Sequence, residues 1–278
     1  MIKADGVYVD SLNVYTILVR KVNIYNKKNG KLIKSIKVKN PSHIITDFSI
    51  DALVITTTKS DVLIFSLKTY ELKFAIRMQT EIDKMLYDKV NHDLYCAFVD
   101  LCKDECKFYK INLESKGYHE ISTGKLIWQQ PFNVDEKSVF VFCNYITGYA
   151  TNQYFINEYD KTNLTLISSS KNVTKLTNLE ILDEEWCSNV WDGFENIKTG
   201  EVVLYKDIGL NEEYYYITKK INDYFIVSNH KKTYLLTNDF KIIKIYTEYD
   251  FKNYIHDAAI DDEYVYLVKG THLFLGKL

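Results

Sequence analysis

The sequence predicts an all-β chain in which one four-stranded unit is repeated seven times. Three observations carry that expectation: a strand-favouring aromatic composition, a turn motif that recurs about every forty residues, and a second turn motif in step with the first. The chain has 278 residues, with 23 Tyr and 14 Phe but only 10 Gly and 2 Pro. Tyr and Phe suit a pleated, half-buried surface. A hydrophobic content of 46% with 26% charged residues belongs to a globular chain and excludes a disordered one.

The first motif is an apolar residue, an Asp or Asn, a few polar residues and then an alternating apolar strand. Its clearest copies are Ile45-Thr46-Asp47-Phe48-Ser49-Ile50-Asp51 and Ile255-His256-Asp257-Ala258-Ala259-Ile260-Asp261. Across the chain the turn residue falls at Asp10, Asp51, Asp88, Asp135, Asp183, Asn222 and Asp261, with separations of 41, 37, 47, 48, 39 and 39 residues. The second motif is a polar hairpin further along each unit, at residues 26–31, 68–71, 114–117, 160–163, 198–201 and 237–240. Asn and Gly supply the positive φ that tight hairpins need, and Asp or Asn bonds the adjacent backbone. Between the turns the chain alternates, as in Tyr224-Phe225-Ile226-Val227-Ser228 and Tyr264-Val265-Tyr266-Leu267-Val268.

Four short strands per unit of about forty residues, seven times over, is the pattern of a seven-bladed β-propeller of four-stranded antiparallel blades. Over essentially its whole length the chain resembles the WD-repeat and quinoprotein-like propellers. Trp191-Asp192 and Thr123-Gly124-Lys125-Leu126-Ile127-Trp128 carry fragments of their signatures. The repeat makes residues 1–278 one expected domain. The last unit is short: only 17 residues follow Asp261, whereas the first unit runs 28 residues from Asp10 to Val38. Three strands are therefore expected in the final blade, with partial help from residues 1–5. Closure is expected to lean on side-chain packing rather than on a full fourth strand.

Charge narrows the partners. The net charge is −2, and Arg20 and Arg77 are the only arginines among 35 basic side chains. Nucleic-acid binders carry a basic, Arg-bearing face, so nucleic acid is not expected. No 18-residue apolar span and no signal-like leader occur, so no membrane is expected and the predicted compartment is the cytoplasm. The five cysteines, at 96, 102, 106, 143 and 187, are odd in number and irregular in spacing, which fits reduced thiols.

Two connections between the second and third strands of a blade look expanded, residues 100–106 and 144–153, and they account for the two longest periods. Long loops on a rigid scaffold are where binding residues gather. The second holds Tyr145 and Tyr149, and Trp128 opens the inner strand of the same blade. Such rings give large contact area at low entropic cost. A polar register also runs along the inner strands, at Asp5, Asp47, Asp83, Gln130 and Asp257, beside His43 and His256. Two readings stand for it. It lines a channel that binds a cation or small polar ligand or supports acid–base chemistry, or it ties inner strands to neighbouring backbone.

His92, Cys96, Cys102 and Cys106 lie close in sequence, but structural zinc sites show paired short spacings and no second pair exists, so no metal is expected. No phosphate loop, nucleophile elbow or His-Glu-x-x-His motif is present, and no cofactor is expected. The reading is a non-enzymatic module that binds another protein through the face carrying loops 100–106 and 144–153. Its contact residues would be Trp128, Tyr145, Tyr149, His43, His256 and Asp257. The alternatives are a hydrolase, lyase or small-ligand receptor at the channel mouth, a toxin-neutralising or phage-related factor, or a subunit of a larger assembly rather than a monomer.

Overall fold

A computed structural model describes residues 2–59, 61–78, 84–100, 105–124, 127–145, 153–173, 180–189, 192–210, 215, 217–229, 231–247 and 255–278. Seven four-stranded antiparallel sheets follow one another along the chain. Blade 1 holds β2–β5 at Gly6–Val9, Asn13–Leu18, Lys21–Asn26 and Leu32–Lys37. Blade 2 holds β6–β9 at Pro41–Asp47, Ala52–Thr57, Asp61–Phe65 and Leu72–Arg77. Blade 3 holds β10–β13 at Lys84–Asp88, Asp93–Asp100, Glu105–Asn112 and Tyr118–Gly124. Blade 4 holds β14–β17 at Ile127–Val134, Ser138–Tyr145, Gln153–Asp160 and Leu166–Val173. Blade 5 holds β18–β21 at Glu180–Ile181, Trp186–Asn189, Gly193–Asn196 and Val202–Leu204, and blade 6 holds β22–β25 at Ile217–Ile221, Tyr224–Ser228, Thr233–Thr237 and Ile242–Tyr246. Blade 7 holds β26–β28 at Ile255–Ile260, Tyr264–Lys269 and His272–Lys277, joined by β1 at Ile2–Lys3. The fold is a seven-bladed β-propeller.

Every turn residue of the first motif lies at or beside a connection between the first and second strands. The chemistry is an Asx turn, in which one carboxylate oxygen accepts two successive amides. Asp10 Oδ1 takes the N–H groups of Leu12 and Asn13 at 2.8 and 2.7 Å. Asp135, Asp183 and Asp261 repeat the arrangement on Lys137 and Ser138, Glu185 and Trp186, and Glu263 and Tyr264. Blade 2 departs from the expected position. There Asp47 accepts from Ser49 N at 2.8 Å, while Asp51 reaches Ser66 Oγ and Lys68 N on its own blade's other turn.

All six hairpins of the second motif join third to fourth strands. Each has one left-handed residue within it or directly after it: Gly30, Tyr70, Lys116, Leu164, Gly200 and Phe240. Only two of these are glycine. Side chains that open these turns brace them with or without glycine, as where Asp160 Oδ1 holds the amides of Thr162 and Asn163 at 2.9 and 3.0 Å and Asn26 Oδ1 those of Lys28 and Asn29 at 3.0 and 3.2 Å. The expectation that Asn and Gly supply these φ values therefore holds for only part of the set, which is how so few glycines serve so many turns.

The chain divides into two compact units, one of Met1–Ser42, Ser188–Phe194 and Val202–Leu278, the other of His43–Cys187 and Glu195–Glu201. In the first, Val7 and Val14 pack with Ala259, Tyr266 and Val268, and Ile226 and Leu235 pack with Ile260 and Leu267. In the second, Val54, Val62 and Ile64 pack with Leu94, Cys96 and Ile111. Tyr15, Tyr95, Tyr109 and Tyr215 are among the largest fully buried side chains. Tyr215 precedes β22 and sets its ring 4.8 Å from that of Tyr205.

Blade 7 takes three strands from the end of the chain, as expected, and a two-residue fourth strand from the start. Ile2 pairs with Leu273 and Lys3 with His272. Beyond that, side chains of blade 6 hold the edge of β28. Lys244 Nζ and Tyr246 Oη both donate to the carbonyl of Lys277, at 2.5 and 3.2 Å, and the Tyr246 ring lies over Gly276, where a Cβ would collide with it.

Candidate functional site

Two members of the inner-strand register, Asp257 and Gln130, tie one blade to the backbone of another. Asp257 Oδ2 accepts the N–H of Val7 at 2.7 Å, joining β26 to β2 of the next blade, while Oδ1 accepts from Lys219 Nζ of β22 at 2.6 Å. Lys219 also donates to the carbonyl of Ala258, so one lysine and one carboxylate link three blades. Gln130 Nε2 donates to the carbonyl of Ile181 in the following blade at 3.1 Å. Asp5 turns back on its own blade and takes Val19 N. His256 Nε2 meets the carbonyl of Asp5 at 3.0 Å, and His43 Nδ1 meets Thr56 Oγ1 at 3.2 Å. Asp83 lies outside the described residues.

Asp47 anchors a cluster that the sequence does not announce. Its Oδ2 accepts from Tyr87 Oη at 2.5 Å and lies 2.9 Å from His92 Nδ1, with Ser49 Oγ on Oδ1 at 2.5 Å. Burial opposes ionisation here, but the hydrogen bonds from Ser49, Tyr87 and His92 prevail and hold the Asp47 carboxyl down at about 2. Burial, then the bond to Asp47, pushes the Tyr87 phenol well above its ordinary range. An acid that stays ionised near neutral pH and a phenol that keeps its proton suit a structural clamp better than proton transfer.

The same clamp recurs at other turns. Asp261 takes Tyr266 Oη at 2.7 Å and Lys27 Nζ of blade 1 at 3.1 Å; Asp88 takes Lys161 Nζ of blade 4 at 2.6 Å. The turn acid of one blade thus grips a donor of the next. No single signal in the sequence marks Tyr87 or His92 for this, because the donor is Tyr and His in one blade and Lys in two others.

The contact residues expected on the long loops are placed only in part. Tyr149 and the rest of 146–152 lie outside the described residues, as do the side chains of Trp128 and Tyr145. The strands that carry those two rings are paired, Ile127 to Tyr145 and Trp128 to Asn144. The two expansions prove unlike one another. Between β11 and β12 only residues 101–104 remain, because Asp100 pairs with Glu105 and the extra residues lengthen both strands to eight. That connection equals residues 229–232 of blade 6 in length. Between β15 and β16 the connection is residues 146–152, seven residues against two to four in every other blade.

Cys96 is buried in the core, and burial pushes its thiol well above the ordinary range. It pairs with Tyr109, while Cys106 pairs with Val99, three positions along the ladder, roughly 10 Å at strand rise. Cys102 lies outside the described residues. Among the described residues no three His, Cys, Asp or Glu side chains are grouped as metal ligands.

Known structures share this architecture. The chain is similar to a computationally designed protein, Ika8, at 9% identity with a TM-score of 0.64, over 99% of this chain and 98% of that one. It is similar to BamB from Moraxella catarrhalis at 11% identity and a TM-score of 0.59, over 96% and 94%. U3-55K matches at 10% identity and a TM-score of 0.67, over 97% and 89%. No family model matches the sequence, and no curated protein does. At such identities the likeness is one of fold alone. None of the three shares more than 11% identity with this chain, so function has to be argued from this chain's own surface.

Proposed function

We propose that this chain is a non-enzymatic propeller, of the WD-repeat or quinoprotein-like kind, that binds another protein through the blade 4 connection 146–152, with Trp128, Tyr145 and Tyr149 as the contact rings. One observation carries the reading: that connection has seven residues where every other second-to-third-strand connection has two to four. A loop extended on a rigid sheet is the usual seat of recognition, and Tyr and Trp are its usual anchors. The engagement of His43, Asp47, His256 and Asp257 in ties also favours binding over chemistry at the inner strands.

The test is affinity capture from the native host with wild type, Trp128→Ala and Tyr149→Ala, scored on any protein retained by wild type. Loss of that protein with either variant supports the reading. Equal retention by all three contradicts it, and turnover of a small molecule abolished by Asp257→Asn would move the assignment to the channel.

A further inference from the structure

We infer that an open cleft between β1 and the β3–β4 turn binds an acidic, extended peptide segment. The cleft has a volume of about 660 Å³, within the range of ligand sites. Ile2, Leu18 and Tyr25, all half-buried, give it an apolar lining, and Lys3, Arg20 and Lys21 stand exposed around them. The lining carboxylate, Asp5, accepts the Val19 amide. Three cations around one occupied acid make this cleft positive in a chain whose net charge is −2.

Two further observations point to an anionic ligand. Lys21 lies directly opposite Lys37 in the β4–β5 register, and like charges placed so repel. Neither lysine forms an ion pair among the described residues. Local conflicts of this kind concentrate at functional sites. The second observation is Arg20. It is one of two arginines in a lysine-dominated chain, and the other, Arg77, is bonded to Asp61 at 3.3 Å. A guanidinium at the tip of the two-residue Val19–Arg20 turn offers a planar fork matched to carboxylates. The apolar lining favours a peptide with a hydrophobic residue among acidic ones over a bare inorganic anion. This site is independent of the connection 146–152, and its test requires no native partner.

The experiment is fluorescence anisotropy with a labelled peptide of four glutamates around a central leucine, against a lysine counterpart of the same length. The glutamate peptide is expected to bind wild type, to weaken about tenfold or more with Arg20→Gln and with Arg20→Glu/Lys21→Glu, and to weaken with added salt. Lys28→Glu, the same charge change on the β4–β5 hairpin, is expected to leave binding unaltered. Lys21→Glu places a carboxylate opposite Lys37, so its Tm is expected at or above that of wild type. If the double variant fails to fold, Arg20→Gln at the exposed turn tip decides alone. No binding to wild type, or equal binding to wild type and Arg20→Gln, overturns the inference. Displacement of the peptide by inorganic phosphate at comparable concentration overturns the peptide assignment and leaves a general anion site.

Discussion

Residues 45–51 of blade 2 and 255–261 of blade 7 read as copies of one motif, with acids at the same two positions. They do different work. In blade 2 the strand stops at Asp47, which caps its own turn and clamps Tyr87 and His92 of blade 3, while Asp51 braces a second turn of the same blade. In blade 7 the strand runs on to Ile260. Asp257 therefore stays inside it and bonds Val7 and Lys219, and capping passes to Asp261. The point at which a strand stops decides whether an acid caps a turn or ties a blade. Residue type and spacing do not settle that point.

The comparison breaks most readily at Asp257. Its replacement by alanine leaves the Val7 amide and the Lys219 ammonium without their shared acceptor, and we expect a loss of roughly 2–3 kcal/mol in urea unfolding. Asp51→Ala, at a brace as half-buried as Asp257 but confined to one blade, is expected to cost only about 1 kcal/mol. Equal effects at the two positions would mean that the copies are equivalent after all.

Acid titration sharpens the role of Asp47. Its carboxyl titrates at about 2 in the folded protein, below the unfolded value of 3.8, so its contribution is complete above the unfolded value and is lost as the pH falls from near 4 toward 2. That contribution is about 2 kcal/mol. In Asp47→Asn the acid limb of the stability curve should flatten by that amount; an unaltered limb would show that the clamp is not formed in solution.

Blade 7 offers a third probe at its closure. Gly276→Ala drives a methyl group into the Tyr246 ring and is expected to cost roughly 1–3 kcal/mol. Tyr246→Phe loses only the bond to the Lys277 carbonyl, on the order of 0.5–1.5 kcal/mol. The order of these two Tm shifts separates packing from hydrogen bonding in holding the edge of β28.

Much of this was legible in the sequence. The seven turns, the six hairpins and the three-strand final blade follow from periodicity, because short-range turn chemistry repeats wherever the fold repeats. What escaped is pairing across blades. The partner of Asp47 is Tyr87, forty residues away, and that of Asp257 is Val7, 250 residues away and on backbone that leaves no trace in residue type. The cleft escaped for a related reason. Arg20 is conspicuous by composition and Lys21 adjoins it in the chain, but Lys37 and Lys3 join them only through the β4–β5 register and the closing of β1 onto β28. The blade 3 expansion does not make a longer loop, because inserted residues that keep strand alternation lengthen the ladder instead.

The central claim is that inner-strand acids hold the blades while recognition lies on the connections, and two variants measured in the same pair of assays test it most directly. Asp257→Asn should lower the Tm and leave capture of the partner by the folded protein intact. Tyr149→Ala should leave the Tm unaltered and abolish capture. The reverse pattern, with capture lost in a stable Asp257→Asn protein and retained by Tyr149→Ala, would contradict it.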